Sequence, residues 1–232
     1  MARQYAGPMR ALLFDVFGTC VDWRTSVARA AERLGLPGEQ VADAWRAQYE
    51  PQLQTVRSGA RPWVKLDVLH RIGLDRVLAD LGLGLPEDAR AELTLAWHRL
   101  DPWPDVVEGL TRLKARFVIA PCSNGHIAQS VNLARHAGLP WDAILGAELA
   151  RAYKPDPEVY LRSVDALGLE PPEVAMVAAH NGDLVAAGAL GLRTAFVPRP
   201  TEHGPRQTSD LAPERDFDVV AADFLDLADQ LI

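Results

Sequence analysis

The sequence predicts an α/β fold: a doubly wound parallel sheet, a Rossmann-like core, with an α-helical cap inserted into it. Three observations carry this expectation. Short apolar runs alternate with amphipathic helical stretches, the pattern of a parallel sheet covered by helices. Residues 21–101 interrupt that alternation with helical periodicity and no convincing strand. A single carboxylate, Asp15, closes the first apolar run just before a Gly-Thr turn, at the strand end where open α/β sheets bind ligands.

In chain order, strands are expected at Ala11–Phe14, 117–121, 143–145, Val174–Ala178 and 194–197. Helices fit between them. Residues 104–115 place Val107, Leu110 and Leu113 on one face, and 157–167 do the same with Val159, Leu161 and Val164. Another helix starts near His126. Gly138, Gly168 and Gly191 stand where helices should stop. The inserted segment offers helices at 25–34, 39–49, 64–81 and 86–100. Directly after the Asp15 strand, it would lie above the strand ends and exclude water from a site there. Residues 198–213 are polar and rich in Pro and Thr, hence a long loop; 218–220 form an edge strand and 223–231 a terminal helix. The expected division is a core of residues 9–20 and 102–232, a cap of 21–101 and a loose tail at 1–8.

The 232 residues suffice for one large domain, or a core with a smaller attached module. A formal charge of −7 argues against nucleic acid and anionic membranes as partners. It does not argue against a small anionic substrate met by local cations. No apolar run approaches the ~20 residues of a membrane span, and no signal-peptide pattern opens the chain. Two cysteines, Cys20 and Cys122, make no disulfide framework. The expected location is cytoplasmic; a homodimer remains open.

A carboxylate at the end of an apolar strand is destabilising by several kcal/mol unless paired or hydrogen-bonded. Asp15 therefore reads as functional, although a strand-end Asp can also merely cap a turn. Two places on, Phe17 can neither donate nor accept a proton, so Asp15 reads as a nucleophile without an adjacent acid. Three further signals follow in order: Ser123-Asn124-Gly125, Lys154-Pro155-Asp156, and Asp183 within His180-Asn181-Gly182-Asp183. Ser123 and Asn124 end a strand and make an anion-binding corner, or an ordinary N-cap. Lys154, if buried beside Asp15, would keep it ionised.

This ordered set, with a cap between its first and second members, resembles the haloacid dehalogenase superfamily and, more narrowly, its type II (L-2-haloacid) dehalogenases. The resemblance implies hydrolysis of a small halogenated 2-haloacid through an ester on Asp15. Lys154 and Thr19 would place Asp15, and Ser123 would bind the substrate carboxylate. Asn124 and Arg46, on the cap, would receive the halide. Phe17, Trp63 and Tyr160 would line the pocket, with core packing an equal account of Trp63. Phosphatase members of the superfamily use an acid at the position of Phe17 and a metal-binding aspartate at that of Ala179. Both are missing, so the reading carries no metal and no cofactor. Asp15 and Asp183 leave weak Mg²⁺ binding open. Where family members carry Ser, Asn and Trp near the fourth signal, this chain has Ala, His180 and Gly182. His180 either orients water, acts as a base, or holds Asp183. The rival readings are a Mg²⁺-dependent phosphatase and a catalytically silent binding protein on the same scaffold.

Overall fold

The computed structural model describes residues 7–232. Of the expected tail, residues 1–6 lie outside the described residues, and the Gly7 carbonyl accepts a hydrogen bond from Arg193 at 2.6 Å. The chain opens with β1 (Ala11–Phe14) and β2 (Val21–Asp22). Helices α1 (Trp23–Glu32), α2 (Gly38–Arg57), α3 (Leu66–Asp80) and α4 (Glu87–Thr94) follow, then a 3-10 turn over Leu95–His98 and β3 (Asp101–Pro102). The remainder alternates: α5 (Val106–Lys114), β4 (Val118–Ser123), α6 (Ile127–Ala137), β5 (Leu145–Gly146), α7 (Ala147–Ala150), α8 (Pro157–Ala166), β6 (Val174–Ala178), α9 (Asn181–Ala189), β7 (Arg193–Phe196), β8 (Val219–Val220) and α10 (Phe224–Leu231).

Six strands form one sheet in the order β5-β4-β1-β6-β7-β8, and every pairing in it is parallel. β1 pairs with β4 on one side and β6 on the other, so the strand order reverses at its carboxyl end, where such sheets hold ligands. All four β1 residues are fully buried. Leu12 and Phe14 enter one apolar layer and Ala11 and Leu13 the other, as period-two alternation requires in a sheet covered on both faces.

The helical insert hangs from a two-stranded antiparallel ribbon in which Val21 faces Pro102 and Asp22 faces Asp101. The Asp22 carboxylate then caps α1 by accepting from the Thr25 amide at 3.0 Å. Inside the insert, Trp45 donates to the His70 carbonyl at 2.8 Å, and Trp97 stacks on His70 with ring centroids 4.3 Å apart. Phe17, from the loop after β1, meets Trp97 edge-on at 5.8 Å. It joins the insert's core to the core of the sheet.

Several boundaries differ from expectation. The helix expected at 39–49 continues to Arg57 through Pro51. Proline removes one backbone bond there, but Leu53 on the next turn is buried and anchors the extension. The helix expected at 86–100 ends at Thr94 and tightens into the 3-10 turn. β4 runs to Ser123, two residues beyond the expected strand end, and thus carries the second motif on its tip. Residues 198–213 form neither helix nor strand, as expected. No helix among the described residues is long and apolar enough to cross a membrane.

Candidate active site

The loops at the carboxyl ends of β1, β4 and β6, together with the turn before α8, converge on one carboxylate. Asp15 is held by its amide, which donates to the Val177 carbonyl at 2.9 Å. Gly18 then turns the chain at φ +86°, a conformation that favours glycine. The turn returns Thr19 toward Asp15: its hydroxyl donates to Asp15 Oδ2 at 2.7 Å and accepts from the Ala179 amide at 2.9 Å. The Lys154 ammonium, only 8% exposed, donates to Asp15 Oδ1 at 2.8 Å and to Asp183 Oδ2 at 2.6 Å. Tyr160 donates its phenol proton to Asp183 Oδ1 at 2.5 Å. The Lys154 backbone amide donates to Asn124 Oδ1 at 2.8 Å, which locks the β4 tip to this turn.

His180 stands between two carboxylates. Its Nδ1 lies 3.1 Å from Asp15 Oδ2 and its Nε2 lies 2.8 Å from Glu202 Oε2. Glu202 is 1% exposed, and its other oxygen accepts the Trp23 indole N–H at 2.9 Å. Burial pushes the Asp15 carboxyl up, but the Lys154 ammonium and the hydrogen bond and charge of His180 outweigh it. They hold Asp15 well below the usual carboxylate range. Burial opposes charge on Lys154 and His180 as well. The Asp15 and Asp183 charges raise Lys154 well above its ordinary value; Glu202, together with the bond to Asp15, does the same for His180. The result is a buried anion kept ionised by two cations.

A cavity of about 330 Å³ opens beside Asp15. Phe17, Asn124, Lys154, Tyr160, His180 and Asp183 line its floor, while Arg46, Tyr49 and Arg57 reach it from α2. The Arg46 guanidinium lies over the Tyr49 ring, 4.4 Å from its centroid, and the Tyr49 hydroxyl accepts from Asn124 Nδ2 at 3.1 Å. Two residues expected at the pocket stand outside its lining. Trp63 lies outside this cavity: its ring stacks at 6.3 Å on Tyr153 beneath the Arg151 guanidinium, and Tyr49 supplies the aromatic wall instead. Ser123 is buried and does not line the cavity; its hydroxyl oxygen accepts from the Gly125 amide at 3.1 Å. Glu202, Tyr49 and Arg57 were missed by sequence reading.

The donor set does not suit Mg²⁺. Ala179 offers no carboxylate, and the Lys154 ammonium lies between the Asp15 and Asp183 carboxylates, where a cation would bridge them. A second cluster sits where the insert meets the core. Asp67 lies 3.0 Å from His98 Nε2 and 3.4 Å from His126 Nε2, and none of the three lines the cavity.

Known proteins resemble the chain over nearly its whole length. The sequence pattern of the haloacid dehalogenase-like hydrolases matches residues 9–191. The (S)-2-haloacid dehalogenase 1 of Pseudomonas sp. (strain CBS-3) is 32% identical over 211 residues, covering 90% of this chain and 91% of that protein. The crystal structure of an L-2-haloacid dehalogenase superposes with a TM-score of 0.94 at 51% identity, covering 96% of this chain and 98% of the other. That of a defluorinating L-2-haloacid dehalogenase gives 0.93 at 51%, with 96% and 95% covered. The Xanthobacter autotrophicus L-2-haloacid dehalogenase with chloropropionic acid covalently bound gives 0.82 at 25%, with 95% and 97% covered. This chain belongs to the haloacid dehalogenase-like hydrolase family.

Proposed function

We propose that the protein hydrolyses small 2-haloacids, haloacetates or L-2-haloalkanoates, to 2-hydroxy acids and halide. One observation carries the reading. Asp15 is a buried carboxylate paired with Lys154 and open to a cavity, while the residue two places on is the apolar Phe17. A halide departs without a proton, so no acid is needed there.

Asp15 attacks the halogen-bearing carbon from the side opposite the halogen. The carbon–halogen bond breaks, the halide takes the bonding pair and moves toward Arg46 and Asn124, and an ester remains on Asp15. The Arg46 guanidinium, fixed over Tyr49, stabilises the developing negative charge. Water then adds to the ester carbonyl, with Asp183 as its base, and the 2-hydroxy acid leaves. Thus two easier steps replace one difficult displacement. Tyr160 and Lys154 orient Asp183, and Thr19 orients Asp15.

The reading divides the chain into a core of residues 9–20 and 102–232, which holds the nucleophile, and a cap of 21–101, which holds Arg46. It also places the protein in the cytoplasm, where the two buried free thiols, Cys20 and Cys122, stay reduced.

The test is halide release from fluoro-, chloro- and bromoacetate and both enantiomers of 2-chloropropionate, with and without EDTA. Release that is insensitive to EDTA, selective for the S enantiomer and lost in Asp15→Asn supports the reading. Release of no halide, or phosphatase activity abolished by EDTA, overturns it.

A further inference from the structure

Glu202 takes no part in the displacement at Asp15, yet it is a carboxylate withdrawn from water, and such a charge requires full pairing. Its surroundings are directed. Trp23 holds Oε1 and His180 meets Oε2. Gly18 makes the space: a Cβ there would lie 2.1 Å from Glu202 Oε1. Position 18 must therefore carry no side chain. With a carboxylate at each ring nitrogen of His180, both nitrogens donate, and the ring is an imidazolium.

The two oxygens of Asp15 are not equivalent. Among the described residues, Oδ2 receives Thr19 and His180, whereas Oδ1 receives Lys154. Oδ1 thus retains a lone pair for displacement. Once it is alkylated, Oδ2 becomes the carbonyl oxygen of the ester, still facing the Thr19 hydroxyl and His180 Nδ1–H. We propose that His180, held in place by Glu202, forms with Thr19 an oxyanion hole for hydrolysis of the aspartyl ester, an inference that rests on the dehalogenase reading.

In this step water adds to Cγ of Asp15 and gives a proton to Asp183. The carbonyl π pair moves onto Oδ2, where Nδ1–H and the Thr19 O–H meet the charge. The tetrahedral centre collapses and the Cγ–Oδ1 bond breaks. The departing alkoxide takes a proton from the Lys154 ammonium, which regains one from Asp183, 2.6 Å away. The Asp15 carboxyl is restored and loses its proton to solvent. His180 stays protonated throughout: it is a donor, not a base. Glu202 acts through it and is a positioning residue.

The charged or titratable groups around the ring are Asp15 on the β1 loop, Glu202 and His203 on the loop after β7, Lys154 before α8, Asp183 on α9 and Arg46 on the cap. Alkylation removes the Asp15 charge, which leaves Glu202 as the carboxylate in contact with the ring. Hydrolysis of the ester therefore slows as pH rises through the His180 titration.

Rapid-quench mixing with chloroacetate, reading halide and the mass of the Asp15 peptide at several pH values, tests this in wild type, Glu202→Gln and His180→Asn. In Glu202→Gln the first-turnover halide burst persists and ester accumulates. Its hydrolysis slows roughly ten- to a hundredfold, short of the ~10²–10³ for loss of a whole oxyanion donor. The defect shrinks toward about pH 6, where solvent protonates the imidazole that Glu202 no longer holds. In His180→Asn the alkaline decline of wild type disappears, because an amide does not titrate; this variant decides the matter if Glu202→Gln does not fold. Wild-type ester hydrolysis that accelerates with pH, an unimpaired Glu202→Gln, or one that loses burst and hydrolysis equally overturns the inference while leaving the dehalogenase reading intact. Absence of any wild-type halide release, in the first turnover or later, removes both.

Discussion

Two regions of this molecule bring imidazole and carboxylate together, with opposite results. In the active site one ring, His180, has two carboxylates; at the junction of insert and core two rings, His98 and His126, share one, Asp67. His180 is raised well above its ordinary value despite burial. His126 is lowered, with burial the leading cause and Asp67 only partly opposing it. Beside them, His70 is 3% exposed with no hydrogen-bond partner at either ring nitrogen among the described residues. Burial drives it down to about 3. Two carboxylates in contact thus hold His180 as a cation, whereas burial prevails at His126 and His70. Only the first region borders the cavity.

The comparison breaks first at Asp15. Asp15→Asn should lower halide release by at least about 10⁴-fold, as removal of an attacking nucleophile does; ion chromatography of released halide measures it, and retention of activity would move the chemistry elsewhere. Lys154→Met leaves the Asp15 and Asp183 charges without their shared cation. Removing one partner of a buried pair destabilises by about 3–5 kcal/mol, visible as a lowered urea midpoint.

The third expectation concerns acid. His70 is lowered in the folded state, so between its unfolded value and about 3 the unfolded chain binds the extra proton and stability falls with pH. From an unfolded value of about 6.5, this amounts to about 2 kcal/mol by pH 5, and His70→Phe should remove it from urea titrations at pH 7 and 5. Asp15 adds nothing between pH 7 and 5. Its lowered carboxyl stabilises the fold above the unfolded value of about 3.9 and loses that contribution only below it. The smallest effect belongs to Asp67→Asn. Weakening its contacts with His98 and His126 should lower stability by about 1–2 kcal/mol with turnover nearly unchanged. A large loss of turnover in a stable Asp67→Asn variant would extend the chemistry to the second region.

Much of this was legible in the chain because strand ends are local events. Apolar runs stop at Asp15, at Ser123-Asn124 and ahead of His180, and each stop lies at the sheet's carboxyl edge. Arg46 was legible only through the family resemblance, as an arginine on the cap. Glu202 was not. It lies in a polar stretch rich in proline and threonine, and its burial comes from Trp23, 179 positions away in sequence. Trp63 misled for the complementary reason: an aromatic near a pocket by chain order can be drawn to another ring, here Tyr153, by packing alone. The Ser123 hydroxyl was read as a turn partner as well as a substrate ligand, and in the fold its oxygen accepts the Gly125 amide locally.

The ribbon of β2 and β3 has a meaning for inheritance. Val21 and Pro102 are register partners, so the insert leaves and re-enters the core at points about 5 Å apart. A segment with such neighbouring ends is a cassette: it can be lengthened, shortened or exchanged without re-threading the parallel sheet. On the proposed mechanism, Asp15 and Arg46 then sit on separately replaceable parts of one gene. Grafting a relative's insert between positions 22 and 101 is a direct route to altered selectivity with the nucleophile untouched.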